Sequence, residues 1–172
     1  AGSEPGGRTA GHAAPQAQPA VSKLLIRTLD VHDLMQLEAA IDLVENAFAD
    51  PERYGRERIA REMLVDDPPY YRQFFVAIKG GRIVGVGGVK AADWAAKTHL
   101  LYLSAVAPER RGQGIARALL AVRAEWLAKR FEAGRILVST TRTRHFREFG
   151  FIEVRGSEID GRHLMLYRFP KK

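Results

Sequence analysis

From Leu103 to Ala116 the chain reads Leu-Ser-Ala-Val-Ala-Pro-Glu-Arg-Arg-Gly-Gln-Gly-Ile-Ala, an apolar run that halts at Pro108, then arginines, two glycines and a helix-periodic stretch. The first N–H groups of a helix have no partners within it and sit at the positive end of its dipole. With no side chain at Gly112 or Gly114, an anionic group can approach the main chain itself, and a diphosphate is its natural occupant. Two other glycine loops are excluded. The nucleotide P-loop needs Lys and then Ser or Thr after its last glycine, where this chain has Ile115 and Ala116. The dinucleotide fingerprint needs three spaced glycines opening a βαβ unit, and this loop follows four predicted strands. A glycine-rich helix start that binds nothing is the remaining alternative.

The rest of the composition narrows the class. A chain of 172 residues, 46% of them hydrophobic, buries one core and reads as an ordinary soluble globular domain. Cys is absent, which removes disulfides, thiolate metal sites and a cysteine nucleophile, and fits a reducing, cytoplasmic setting. No apolar run approaches the roughly 20 residues of a membrane span. Residues 1–21, rich in Ala, Gly, Pro and Gln, lack the apolar stretch of a secretory signal and read as a flexible extension, leaving 22–172 as the domain. A net charge of +7 favours anionic partners: nucleic acid, acidic membrane or a phosphorylated small molecule. Basic residues beyond position 108 spread over several predicted elements and hardly interleave with aromatics, which suits a phosphate-bearing small molecule better than a nucleic-acid groove. Some of them are ordinary solvated surface.

These residues need elements to hold them. Lys23 to Arg27 reads as a strand; Asp30 is a candidate N-cap for a helix whose Leu34, Leu37, Ile41, Val44 and Phe48 step by three and four. A second helix, roughly Gly55 to Leu64, turns Ile59 and Met63 inward and stops before Pro68-Pro69. Phe74 to Lys79 and Arg82 to Val89 form a hairpin about Gly80-Gly81, and glycines 85, 87 and 88 in its second strand signal close backbone approach or a bend. Thr98 to Val106 is a nearly continuous apolar strand, and Gly112 to Lys129 a helix with Ile115, Leu119, Val122 and Trp126 on one stripe. A strand (Arg135 to Thr140), a short helix (Thr143 to Phe149) ended by Gly150, and two strands near Phe151 to Val154 and His163 to Phe169 complete the order β-α-α-β-β-β-α-β-α-β-β. The fold class is mixed α/β, with an antiparallel start and a parallel crossover through the long helix.

Arg111-x-x-Gly114-x-Ala116, led in by Val106-Ala107-Pro108, resembles the (Arg/Gln)-x-x-Gly-x-(Gly/Ala) signature of the GNAT superfamily of N-acetyltransferases. The later run His145-Phe146-Arg147-Glu148-Phe149-Gly150-Phe151 is similar to that family's aromatic pair before Gly-Phe, and the element order matches over about residues 23–169. The resemblance implies a cosubstrate, acetyl-CoA. It implies that main-chain amides of Arg111, Gly112, Gln113, Gly114, Ile115 and Ala116 hold the pyrophosphate. The edge formed by Leu103, Ser104, Ala105 and Val106 would pair with the pantetheine arm, beside two splayed central strands. It further implies direct transfer of the acetyl group to a primary amine, a small molecule or amino acid being favoured as acceptor, in a family whose members often dimerise. Ser139 to Phe146 also resembles part of the acetyltransferase domain of N-acetylglutamate synthases, which implies an amino-acid-like substrate with Arg142 or Arg144 pairing its carboxylate.

Two positions depart from the family pattern. Many relatives carry Glu six residues before the Val of Val-x-Pro, where this chain has Leu100, and a Tyr hydroxyl where it has Phe146. An amine of solution pKa near 10 must lose a proton before attack, so a base is wanted, and an acid helps the thiolate leave. Strand alternation puts 98, 102 and 104 on the face of position 100, which makes Tyr102 and Ser104 the candidate catalytic residues unless a β-bulge shifts the parity. His99 belongs to the opposite face. Each also reads more plainly, Tyr102 and His99 as core residues and Ser104 as a small residue making room; a relaying water is a further route. The two missing handles motivate a second reading, an acyl-CoA-binding sensor without turnover. A nucleic-acid-binding module rests on charge alone.

Overall fold

The computed structural model describes residues 22–171, so the N-terminal extension expected over 1–21 lies outside the described residues. The elements are β1 (Leu25–Thr28), α1 (Leu34–Phe48), α2 (Arg56–Leu64), β2 (Arg72–Lys79), β3 (Arg82–Ala91), β4 (Thr98–Val106), α3 (Ile115–Arg130), β5 (Gly134–Thr140), α4 (Thr143–Phe149), β6 (Ile152–Glu153) and β7 (His163–Phe169). Seven strands make one mixed sheet in the order β1-β2-β3-β4-β5-β7-β6. Only β4 and β5 run parallel, and α3 is the crossover such a pair requires.

Local chemistry sets the helix ends. The N-cap of α1 is Asp33 rather than Asp30: its carboxylate accepts the Gln36 N–H at 3.1 Å. Asp30 instead accepts from the N–H of His32, closing the turn that precedes the helix. The last helix before the C-terminal strands stops where Gly150 takes a φ of 119°, as expected of a left-handed cap.

The sheet separates two apolar layers. Phe74 and Val76 of β2 pack with Leu37, Ile41 and Val44 of α1 and Ile59 and Met63 of α2, while Phe75 and Ala77 pack with Ile115, Leu119, Leu120 and Leu127 of α3. Each fully buried aliphatic or aromatic side chain contributes about 1.5–3 kcal/mol. The β3 glycines let α3 lie directly on the sheet, because a Cβ on Gly85 would stand 2.8 Å from Ile115 Cγ2.

Two irregularities of β4 shape everything that follows. Val86 pairs with Ala105 and Gly88 with Tyr102, so Leu103 and Ser104 together face the single residue Gly87. This is a β-bulge, and Leu103 adopts a left-handed φ of 46° within it. On its other edge β4 pairs with β5 only over Thr98–Leu100, opposite Arg135–Leu137. Beyond that point β5 pairs with β7 alone, and the two central strands part.

Candidate active site at the parted strands

The glycine loop lies where β4 ends. A single 3-10 turn, Pro108–Arg110, leads into Arg111, and Gly112 and Gly114 take φ values of 76° and 80°. A helix starting at Gly112 was expected; α3 starts at Ile115, because both glycines adopt the left-handed conformation that L side chains avoid. Among the described residues no side chain caps α3, no acidic residue stands in its first turn, and a Cβ on either glycine would meet nothing within 4 Å. Gln113 is tied back to the sheet by a hydrogen bond from Lys79 Nζ to its Oε1 at 3.1 Å. The free amides, the open space before them and the neighbouring Lys79, Arg111 and Arg117 fit a diphosphate.

The bulge corrects the expectation that Tyr102 and Ser104 share a face. Tyr102, Leu103 and Ala105 pack toward α1 and α2, whereas the side chain of Ser104 turns toward α3. The extra residue shifts the alternation by one, which puts the two candidates on opposite sides of β4.

On the α1–α2 side the Tyr102 hydroxyl donates to Glu62 Oε2 at 2.8 Å. The same carboxylate is paired with Arg72 Nε at 3.3 Å and Lys90 Nζ at 3.8 Å, and Lys90 Nζ stands 4.4 Å from the centre of the Tyr102 ring. Burial, then the adjacent Glu62 charge, push the phenol well above its ordinary value, so it keeps its proton and acts as a donor. Beside these groups lies a cleft of about 220 Å³, lined by Arg72 and Lys90 with Tyr70, Tyr71, Trp94 and Leu100. Leu100 thus borders the same cleft as the two cations of Glu62.

On the α3 side, Arg123 is buried with a relative exposure of 3%. Its Nε donates to Leu119 O at 3.1 Å, and its Nη1 donates to Gly88 O at 3.0 Å and to Ser104 Oγ at 2.8 Å. Burial draws its pKa down to about 10, which leaves it charged at neutral pH. A Cβ on Gly87 would come 2.9 Å from its Cζ, so this glycine makes room for the guanidinium. His99, deeper on the same face, packs on Phe131 and Phe169, and its Nδ1 lies 2.5 Å from the Tyr71 hydroxyl. Burial holds this imidazole below its usual pKa and neutral; it is a core residue, as its parity implied.

Neither Glu62 nor Arg123 was singled out from sequence. Each nonetheless breaks an apolar pattern: Glu62 sits between the inward-facing Ile59 and Met63, and Arg123 lies four residues from both Leu119 and Leu127. At α4, Arg142, Arg144, His145 and Glu148 line an open hollow of about 380 Å³. Arg144 is engaged there by Glu148 at 2.9 Å. His145 is held below its usual pKa by burial first, then by Arg142 and Arg123.

Comparison with known proteins bears on the fold and the family. Among solved structures, the chain is similar to Escherichia coli ElaA, with 17% identity and a TM-score of 0.66 over 84% of this chain and 97% of that one. It is similar to the PaiA N-acetyltransferase of Thermoplasma acidophilum in complex with coenzyme A, with 17% identity and a TM-score of 0.66 over 86% and 99% of the two chains. The ribosomal-protein-S18-alanine N-acetyltransferase of Escherichia coli gives 20% identity and a TM-score of 0.65 over 85% and 94%. No curated protein sequence matches detectably. At these identities the structures establish a shared fold. The model of the acetyltransferase (GNAT) family matches residues 33–151, well over half of the sequence, and the chain belongs to that family.

Proposed function

We propose that this chain transfers the acetyl group of acetyl-CoA directly to the primary amine of a small molecule or amino acid, as a cytoplasmic enzyme. The observation that carries the reading is the uncapped start of α3 beside the unpaired β4 edge, a phosphate cradle and a strand-pairing edge in one groove. Acetyl-CoA supplies an acyl carbon already activated as a thioester. Amides from Gly112 to Ala116 grip its pyrophosphate, the Arg111 N–H expected among them being directed instead to Pro108 O, and Leu103 to Val106 pair with the amide-bearing arm. A main-chain N–H of the bulge polarises the acetyl oxygen, worth about 3–4 kcal/mol for one well-placed donor.

The amine enters from the cleft bordered by Leu100, Arg72 and Lys90. Tyr102 accepts a proton from the nitrogen as it passes its own to Glu62, so the phenol never needs to exist as a free phenolate. This carboxylate, delivered by α2, stands in for the Glu absent at position 100 and favours turnover over the sensor reading. In the family's transfer scheme Tyr102 is then the residue nearest the chemistry on this side.

Calorimetry with CoA and a thiol-release assay on a pooled amine panel test the reading. CoA should bind, Gly114→Val should weaken it at least tenfold by forcing a β-branched residue into left-handed backbone, and thiol release should require an amine. Tight CoA binding without amine-dependent thiol release would select the sensor instead; unchanged affinity in Gly114→Val would sink the cradle.

A further inference from the structure

Among the described residues Arg123 is the one charged residue in the buried core, and no carboxylate pairs with it. Its three hydrogen-bond acceptors, Leu119 O, Gly88 O and Ser104 Oγ, are all neutral. A buried cation held only by neutral groups is costly, and an apolar side chain of similar size would fill the space without that cost. Of its three partners the one that reaches solvent is Ser104, an exposed residue on the stretch of β4 that has left β5. Because Ser104 Oγ accepts from the guanidinium, its own O–H is directed elsewhere, and no acceptor takes it among the described residues.

The charged groups around this gap are mostly positive. The N-terminal part of α3 contributes Arg117, and Arg142 and His145 stand at the start of α4; burial first, then Arg142, Arg123 and Arg117, lower the pKa of His145, with Glu148 opposing them. The α4 acid Glu148 is occupied by Arg144. From β5, Val138 to Thr140 bring no charge, and Glu62 lies across β4 on the opposite face. A group that gains negative charge here is met by a hydroxyl donor backed by a buried cation.

Resting on the acetyltransferase reading, we propose that Ser104 donates its O–H to the sulfur of CoA and, polarised by Arg123, stabilises the thiolate that departs as the acetyl group is transferred. Ser104 touches the reacting atom; Arg123 is a positioning residue that acts through it. The carbon–sulfur bond breaks with its electron pair kept on sulfur, while the carbon–nitrogen bond forms. The nitrogen's proton goes through Tyr102 to Glu62, Ser104 keeps its own proton, and the released thiolate is protonated by water. This pair does the task for which residue 146, a Phe, has no hydroxyl.

The test uses free CoA and the full chain, with the thiol's ionisation followed by ultraviolet absorbance across pH. A free thiol ionises near about 8.5, and an opposing charge at close range lowers such a value by roughly 1–3 units. The CoA-bound thiol should show a shift of that kind. Ser104→Ala and Arg123→Met should each return it to the value of free CoA, and Arg123→Lys, which keeps the charge but not the fork, should restore part of it. If Arg123→Met does not fold, Ser104→Ala decides alone. A wild-type complex whose thiol ionises like free CoA, or a shift that survives Ser104→Ala, overturns the proposal and leaves the acetyltransferase reading standing. A folded chain that binds no CoA overturns both.

Discussion

On the α1–α2 face of β4 a carboxylate is ringed by cations; on the α3 face, one bulged residue away, a cation is ringed by neutral groups. Glu62 has Arg72 and Lys90 within ion-pair reach and Tyr102 as a donor, whereas Arg123 has only two carbonyls and a serine hydroxyl. Glu62 on α2 and Arg123 on α3 lie on opposite faces of the sheet, and a regular strand would project residues 102 and 104 onto one face, where they could partner only one of the two. With Leu103 inserted at positive φ, Tyr102 reaches Glu62 on one face and Ser104 reaches Arg123 on the other. A non-glycine residue in that conformation costs roughly 1–3 kcal/mol. The difference teaches that one strand can present a proton acceptor and an anion-stabilising donor together, provided its alternation is broken between them.

The largest effect should come from removing the carboxylate. Glu62→Gln preserves shape and hydrogen bonding to Tyr102 but cannot take a proton, and kcat should fall about 10²–10⁴-fold while CoA affinity stays unchanged. The deficit should shrink for acceptor amines of low pKa, which are already neutral at the assay pH. Tyr102→Phe should cost nearly as much, and the double variant should be little worse than either single one, as expected of groups acting in series. Losses that multiply, or a deficit independent of amine basicity, would make Glu62 a purely structural partner of Arg72 and Lys90.

Adjacent glycines on β3 allow each face to be disturbed separately. A Cβ on Gly87 would lie 2.9 Å from Arg123 Cζ, and one on Gly88 would lie 2.7 Å from Phe74 Cε1 and 2.9 Å from the Tyr102 carbonyl. Gly87→Ala and Gly88→Ala should each lower stability by about 1–3 kcal/mol in urea denaturation, the range for overpacking a filled core. Their functional signatures should be opposite. Gly87→Ala should relax the ionisation of bound CoA toward that of the free thiol and keep the dependence on amine basicity; Gly88→Ala should do the reverse. Identical signatures would mean that the faces are not insulated.

The glycine loop and the bulge also differ in how far the sequence discloses them. Gly112 and Gly114 follow Pro108 and three charged residues and lead into an apolar stripe, so local composition announces a turn and a helix start. The order of elements followed in the same way from hydrophobic period and turn residues. No residue type announces the bulge, because Leu-Tyr-Leu-Ser-Ala-Val reads as unbroken strand and the extra residue is a leucine. Only the pairing with β3 shows that Leu103 and Ser104 face Gly87 together. Tyr102 and Ser104 were therefore legible as candidates but not as occupants of opposite faces. Glu62 and Arg123 were not read as site residues: the stripe expected on α3 ran through Val122 and Trp126 and left Arg123 off it, and the partners of the two lie 40 and 19 residues away in sequence, which local periodicity does not show.

The smallest effect tests whether the α3 face admits a second positive charge. His99 is buried on that face among Tyr71, Phe131 and Phe169, and burial lowers its pKa in the folded chain. The unfolded chain takes up a proton near pH 6.5 that the folded chain refuses. The stability this contributes is complete above that pH and is lost as the pH falls below it, with a slope of at most about 1.4 kcal/mol per pH unit. His145 shifts in the same direction but is less buried and should contribute less. Urea denaturation at stepped pH on His99→Phe should show a flatter acid slope than wild type, even though the lost bond to Tyr71 lowers stability at every pH. An unchanged slope would mean that the folded core accepts the imidazolium, and the α3 face would then not be reserved for the charge of Arg123.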